Sequence, residues 1–278
     1  MREGEPSRTA FGAAAYRAIH QDADDGRVFR DPLAWQILGG DKDAVLAEAA
    51  GQDRPRLRLF IAVRHRFAED SLAAAVARGT QQVVVLGAGL DTFAYRNPFP
   101  ETTVFEVDHP ATGAWKQEQL ASAGIVAPSN VTYVGVDFET DDLMTRLVGA
   151  GFDPSAPAFF VWLGVVPYLS RDAVTATLGA IASVPGGEVV FDYTNPVDQL
   201  RAVAQDDRAD LIARVAEVGE PLSAGLDTAD LLALLTSLGF SDIDDLDRPD
   251  IRSRYLGLPP GDAGGGAHIV RARVVDGG

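Results

Sequence analysis

Gly87 and Gly89 close the run Gln82-Val83-Val84-Val85-Leu86-Gly87-Ala88-Gly89-Leu90-Asp91, and Asp108 closes a second run, Thr103-Val104-Phe105-Glu106-Val107-Asp108. Glycines let a ligand approach the backbone closely, and a helix after them presents unpaired amides to it. An acid 21 residues beyond Gly87 stands at the tip of the neighbouring strand, where it can accept hydrogen bonds from both ribose hydroxyls. These residues describe a nucleoside site at the mouth of a parallel sheet. Two cofactors fit it, a nicotinamide dinucleotide and S-adenosyl-L-methionine (SAM). A dinucleotide fingerprint wants a third glycine three residues after the second, and Thr92 stands there. Asp91 would repel a pyrophosphate at a helix N-terminus but suits the ammonium of a methionine. The residues favour SAM, although a strand-to-helix turn that binds nothing also produces Gly-x-Gly.

Such a site needs short strands alternating with helices. Val-rich runs at 83–86, 104–107, 131–136, 158–163 and 188–193 predict strands, with helices near 111–123, 141–149 and 171–184. This alternation demands right-handed crossovers and a parallel sheet covered on both faces. Residues 1–80 show no strand pattern, and 7–20, 31–38 and 54–78 carry apolar residues at helical spacing, which predicts a helical cap ahead of a nucleotide-binding domain over 81–278. Residues 197–218 read as a long charged helix lying over the carboxyl edge of the sheet, within a cap insertion at 197–226. An amphipathic helix at 227–238 follows, then strands at 241–246 and 268–274 joined by a loop at 248–266, an antiparallel addition at the sheet edge. The glycine-rich run 261–266 reads as a flexible connection.

Composition narrows the partners. The chain has 278 residues, 46% of them apolar, and a net charge of −16. That length suffices for a full core. The acidic balance disfavours nucleic acid, whose affinity comes from clustered basic residues, and points to a small-molecule substrate. Absence of cysteine excludes disulfides, thiolate metal sites and a thiol nucleophile. The amino terminus lacks an apolar signal core and no run approaches the roughly 20 apolar residues of a membrane span, so the expectation is a cytoplasmic monomer or homodimer without a membrane partner. Asp91, Asp108 and Asp137 fall at successive strand ends and read as partners of a cofactor rather than of a metal, since no His-x-x-x-His spacing accompanies them.

Val83-Val84-Val85-Leu86-Gly87-Ala88-Gly89-Leu90-Asp91-Thr92, Ala94-Tyr95-Arg96, Phe105-Glu106-Val107-Asp108-His109-Pro110, Val136-Asp137-Phe138 and Trp162-Leu163-Gly164-Val165-Val166-Pro167-Tyr168-Leu169 occur in that order. Together they resemble the leucine carboxyl methyltransferase-like family of class I SAM-dependent methyltransferases, and most of all its actinobacterial small-molecule branch. The likeness runs from Phe29-Arg30-Asp31-Pro32-Leu33-Ala34 to His268-Ile269-Val270-Arg271-Ala272. It implies an α/β, Rossmann-like fold with a seven-stranded, mostly parallel sheet, the last strand antiparallel. It also implies that Asp108 holds the ribose, Asp137 accepts from the adenine amino group, the Phe138 amide donates to an adenine nitrogen, Arg64 pairs with the methionine carboxylate, and Gly87 lets the methionine pass. Ala88, Gly89, Asp91, His109 and Leu163 lie in the same matched motifs and complete the candidate cofactor set. Asp137 also suits a helix N-cap, and a lone helix arginine such as Arg64 is commonly solvated. Leu163 stands where many relatives carry an acid, so polar contacts made at that position do not transfer.

The resemblance further implies O-methylation of a carboxyl or hydroxyl group on a small metabolite, in secondary metabolism. A carboxylate acceptor is already ionised, whereas a hydroxyl needs a base or a hydrogen-bond partner. His20 is a candidate base, with Tyr16 and Arg17 beside it as substrate contacts on a helix able to cap the site. Tyr193 ends the fifth strand, where side chains face the ligand crevice. Tyr168 is a further candidate substrate contact, although such aromatics, Trp162 included, commonly pack the sheet. His65 falls on a cap helix, His268 begins a late strand, and no conspicuous His–Asp pair marks the late loops. Rival readings are a protein that uses SAM without transferring its methyl group, for isomerisation or cyclisation, and an NAD(P)-dependent oxidoreductase.

Overall fold

Strand β1 (Gln82–Leu86) is apolar throughout its centre because both of its faces are covered. Val83 and Val85 enter one core, and Val84 and Leu86 enter the other. The same division recurs in β4 (Ala158–Trp162), where Phe159 and Val161 oppose Phe160 and Trp162. The computed structural model describes residues 7–39, 42–43, 54–200, 222–261 and 265–275.

Ahead of β1 come α1 (Arg8–Ala23), α2 (Ala34–Leu38) and α3 (Pro55–Ala77). After it follow α4 (Phe93–Arg96), β2 (Thr103–Asp108), α5 (Pro110–Ser122), β3 (Val131–Gly135), α6 (Leu143–Gly149), then β4, α7 (Arg171–Ala182) and β5 (Glu188–Thr194). The chain ends with α8 (Thr228–Ser237), β6 (Phe240–Leu246), α9 (Arg248–Leu256) and β7 (Ala267–Val274). The seven strands form one sheet in the order β3-β2-β1-β4-β5-β7-β6. The first five are parallel, and β7 is antiparallel to both β5 and β6. The late antiparallel strand is thus present, but β7 is inserted beside β5 and β6 forms the edge. Strand order reverses direction between β1 and β4, which opens a crevice beyond their carboxyl ends.

Each helix boundary has a local cause. Ser7 caps α1 by accepting from the Ala10 amide, Pro55 starts α3 where a missing N–H costs nothing, and Ser170 caps α7. Helix α3 buries Ala62, Val63, Phe67, Ala68 and Leu72 against one face of the sheet, while Leu143, Leu178, Ile181 and Leu235 of α6, α7 and α8 cover the other. A third cluster joins Ala14, Ala18 and Ile37 of α1 and α2 to Leu90 in the glycine loop and Leu120 of α5. The helical preface is therefore packed directly on the loop after β1.

Two expectations change. Residues 248–266 are not a simple loop, since α9 occupies their first part. Asp247 accepts from the Asp250 amide, Pro249 lies in the first turn and Gly257 ends the helix at φ +62°. Only Ile251 of this helix is buried, so no apolar period announces it. The predicted helix over 197–218 begins instead as a short 3-10 turn, Val197–Gln199, followed by extended Leu200, which bridges to Gly265. The rest of that stretch, 201–221, and Asp262 to Gly264 within the glycine-rich run lie outside the described residues. Among the described residues no helix is long and apolar enough to cross a membrane.

Candidate active site

Gly87, Gly89, Asp108, Asp137 and Gly164 are brought together at the carboxyl ends of β1, β2, β3 and β4. Gly87 has φ +65°, and a Cβ there would collide with the Val165 side chain. Its amide and that of Ala88 donate to the Val107 carbonyl, at 2.7 and 3.1 Å, fixing the turn to β2. The Gly89 amide donates to Asp108 Oδ2 at 2.5 Å, and the His109 amide donates to Oδ1 at 2.7 Å. Burial raises the Asp108 carboxyl above the ordinary aspartate range, and these two amides only partly oppose it. His109 caps α5, its Nδ1 accepting from the Ala111 amide.

Beyond β3, Asp137 Oδ1 accepts from the Glu139 amide and the Asp137 amide donates to Asp141. The aspartate closes a turn of its own and does not cap the following helix, whose N-cap is Asp142. The Phe138 ring lies 6.5 Å from that of Trp162. Leu163, half-buried, packs against the core beneath α3.

Helix α3 sends Arg64 and His65 to the same end of the sheet. Arg64 is buried, and its Nη1 donates to Asp192 Oδ2 of β5 at 3.0 Å. Its Nε is buried without a hydrogen-bond partner among the described residues. His65 Nδ1 faces the Ile61 carbonyl at 2.8 Å and its Nε2 faces Asp91 at 3.3 Å. Asp91 also accepts from the Phe93 amide at 2.7 Å. Burial alone would raise the Asp91 carboxyl, but the His65 hydrogen bond and the charges of Arg17 and Arg96 outweigh it and keep the group ionised. Asp91 is thus tied to α3 and its own turn.

Arg17 and His20 of α1 make their contacts within the cap and to the loop after β1. Arg17 is buried and donates to Asp31 at 2.8 Å and to the Leu90 carbonyl at 2.6 Å. Asp31 also accepts from Thr92 at 2.6 Å. Burial pushes the Asp31 carboxyl up, but Arg17 and then Arg96 outweigh this and hold it low. Arg17 thereby anchors the cap to the glycine loop. His20 is fully buried, its Nδ1 3.0 Å from Asp24, which also accepts from Arg58 at 2.8 Å. Desolvation lowers the His20 pKa despite the Asp24 carboxylate. Tyr16 and Tyr168 are half-buried.

Tyr193 leaves β5 on the face opposite Asp192, within the core under α7 and α8. Its hydroxyl is shared with Thr228 at 2.9 Å and Asp245 at 3.1 Å, and its ring stacks on His268 at 4.7 Å. His268 Nδ1 lies 3.0 Å from Asp245 and its Nε2 3.0 Å from Asn195 Oδ1. A His–Asp pair therefore joins β6 and β7, outside the late loops in which sequence reading found none. Also unforeseen is the buried group of Glu106, which accepts from Lys116 at 2.7 Å and from Tyr95 at 2.8 Å. The signal was available: acids inside apolar strands, as in Phe105-Glu106-Val107 and Phe191-Asp192-Tyr193, survive burial only with partners.

Residues 10–182 match the family model of leucine carboxyl methyltransferase. The chain belongs to that family. The YktD protein of Bacillus subtilis, which carries the provisional name of SAM-dependent methyltransferase, is 28% identical over 92% of this chain and 93% of its own. A provisionally named SAM-dependent methyltransferase of Mycolicibacterium smegmatis is 31% identical over 76% of this chain and 72% of its own. Among solved structures, an O-methyltransferase family protein from Burkholderia thailandensis superposes with a TM-score of 0.50 at 12% identity, covering 96% of this chain and 73% of that one. The CurJ carbon methyltransferase gives 0.51 at 15% identity over 96% and 67%. These two share the fold, and their differing acceptors show that the fold alone does not choose the methylated atom.

Membership in the leucine carboxyl methyltransferase family makes the chain a SAM-dependent methyltransferase and sets aside the nicotinamide reading. The residues present fit SAM. Among the described residues Arg64 Nε is a buried donor without a partner, suited to a carboxylate, Asp108 is a half-buried carboxylate with acceptor sites beyond the two amides it holds, and Gly87 keeps the loop free of a side chain. When bound, SAM supplies a methyl group on a positively charged sulfur that leaves readily.

Proposed function

We propose that the chain methylates an oxygen of a small metabolite, a carboxyl group before a hydroxyl, in secondary metabolism. The observation that carries this reading is the burial of the two candidate bases. His20 is sealed in the cap beside Asp24, and the Tyr193 hydroxyl is held by Thr228 and Asp245 in the core, where burial raises its pKa. An acceptor that needs no base suits this arrangement, and an ionised carboxylate is one. The family name is consistent with it.

The reaction is an in-line displacement. Bound SAM would supply its methyl carbon to an acceptor oxygen lone pair, and the electron pair of the broken carbon–sulfur bond would stay on the sulfur. No proton moves when the acceptor is a carboxylate. The chain's contribution is positioning. Arg64 binds the ligand carboxylate, Asp108 orients the ribose, and the turn at Gly164 and Val165 borders the loop at Gly87. The acidic surface suits a small-molecule partner rather than nucleic acid, and the protein acts in the cytoplasm as a monomer or homodimer.

The test is incubation of purified protein with SAM and panels of carboxylic acids and phenols, with products weighed by mass spectrometry. Carboxylates are expected to gain one methyl group in step with S-adenosylhomocysteine release. Methylated phenols alone would reverse the preferred acceptor, and a product of unchanged mass would replace transfer by isomerisation.

A further inference from the structure

We propose that Asp192 is the positioning residue for the methionine end of the cofactor, acting through Arg64. Asp192 lies in β5, a strand whose residues Glu188 to Tyr193 are all buried. An acid there is costly unless it is paired. Its two oxygens are divided: Oδ2 accepts from Arg64 Nη1 at 3.0 Å, and Oδ1 accepts from the Gly164 amide at 2.6 Å. Gly164 has φ +73°, and a Cβ there would stand 2.7 Å from Arg64 Nη2. One carboxylate thus fixes both the guanidinium and the turn after β4 on which it rests.

A guanidinium is planar, so holding one nitrogen and one face leaves the remaining donors aimed in a set direction. Among the described residues, Arg64 Nε is the donor left buried without a partner. Position 163, immediately before Gly164, is a leucine, so the turn itself offers no acid to hold the arginine. Asp192 supplies that charge from the adjacent strand, reaching across 128 residues of sequence to α3. The inference rests on the cofactor site and is independent of which acceptor is methylated.

Calorimetric titration with two ligands tests it. S-adenosylhomocysteine carries the amino-acid end, whereas 5′-methylthioadenosine keeps the adenosine and sulfur without it. Asp192→Asn is expected to bind S-adenosylhomocysteine about tenfold more weakly, the scale of one charge-assisted hydrogen bond, while methylthioadenosine affinity stays within about twofold. Equal losses for both ligands would show general loosening and overturn the role, as would unchanged S-adenosylhomocysteine affinity. Arg64→Gln/Asp192→Asn leaves no unpaired buried charge and provides a second, better tolerated variant. Its loss of S-adenosylhomocysteine affinity is expected to match that of Arg64→Gln alone, and losses that add would overturn the coupling. Wild-type protein that binds neither ligand would overturn the cofactor site, and this role with it.

Discussion

Half-buried Asp108 accepts two short backbone hydrogen bonds, from Gly89 and His109, and its carboxyl is raised above the ordinary range by desolvation. In the proposed site ribose hydroxyls would donate to the ionised carboxylate, and protonation takes away the charge that strengthens those bonds. Ligand binding therefore favours the deprotonated form. S-adenosylhomocysteine affinity is expected to be full above the raised pKa and to fall as pH drops through it, at higher pH than for an exposed aspartate. Asp108→Asn is expected to lose about 1–3 kcal/mol of binding and to flatten this acid limb. Calorimetry across pH decides it, and a folded variant with unchanged affinity would remove Asp108 from the ribose. The residue was legible because its distance from Gly87 is a local property of one strand–helix–strand unit. Asp192 was not, since its meaning depends on Arg64, which only folding brings to it.

At the scale of elements, what holds α1 to the sheet is a buried polar knot and not only the apolar contacts of Ala14 and Ala18 with Leu90. Arg17 links Asp31 to the Leu90 carbonyl, and Thr92 and Arg96 close the knot from the other side. Removing one partner of a buried pair strands the other. Arg17→Ala is expected to cost about 3–5 kcal/mol of stability in urea denaturation. A variant of unchanged stability whose KM for the acceptor rises would instead restore Arg17 as a substrate contact. The helices and strands themselves were readable wherever a sheet buried a face, as in Val83 to Leu86 and Phe159 to Trp162, because burial leaves an apolar pattern. Helix α9 escaped because its evidence lies in caps, Asp247, Pro249 and Gly257, around a mainly polar sequence. The contacts of Arg17 and His20 within the cap escaped for a related reason: a helix period says which residues share a face, but not whether that face meets a ligand or another helix.

For the whole molecule, charge is distributed unevenly between interior and surface. The chain has 24 basic and 40 acidic residues, and Arg17, Arg58, Arg64 and Lys116 are each spent on a buried or half-buried acid. Each such pair removes one acid with one base, so the net charge of −16 is carried by the remaining side chains, and the field met by an approaching small molecule is acidic. A carboxylate acceptor must enter against that field, whereas a neutral phenol does not feel it to first order. Salt screens charges over a length of about 8 Å at physiological ionic strength. With SAM saturating, kcat/KM for a carboxylate is expected to rise as salt is added from a low starting level, by about tenfold or less, and that for a neutral phenol to stay flat. A fall with salt for the carboxylate would mean that local positive charge at the crevice mouth outweighs the net field. Arg64, whose buried guanidinium already faces Asp192, is too well compensated to produce such a reversal alone, so that result would locate a second cation on the acceptor's path.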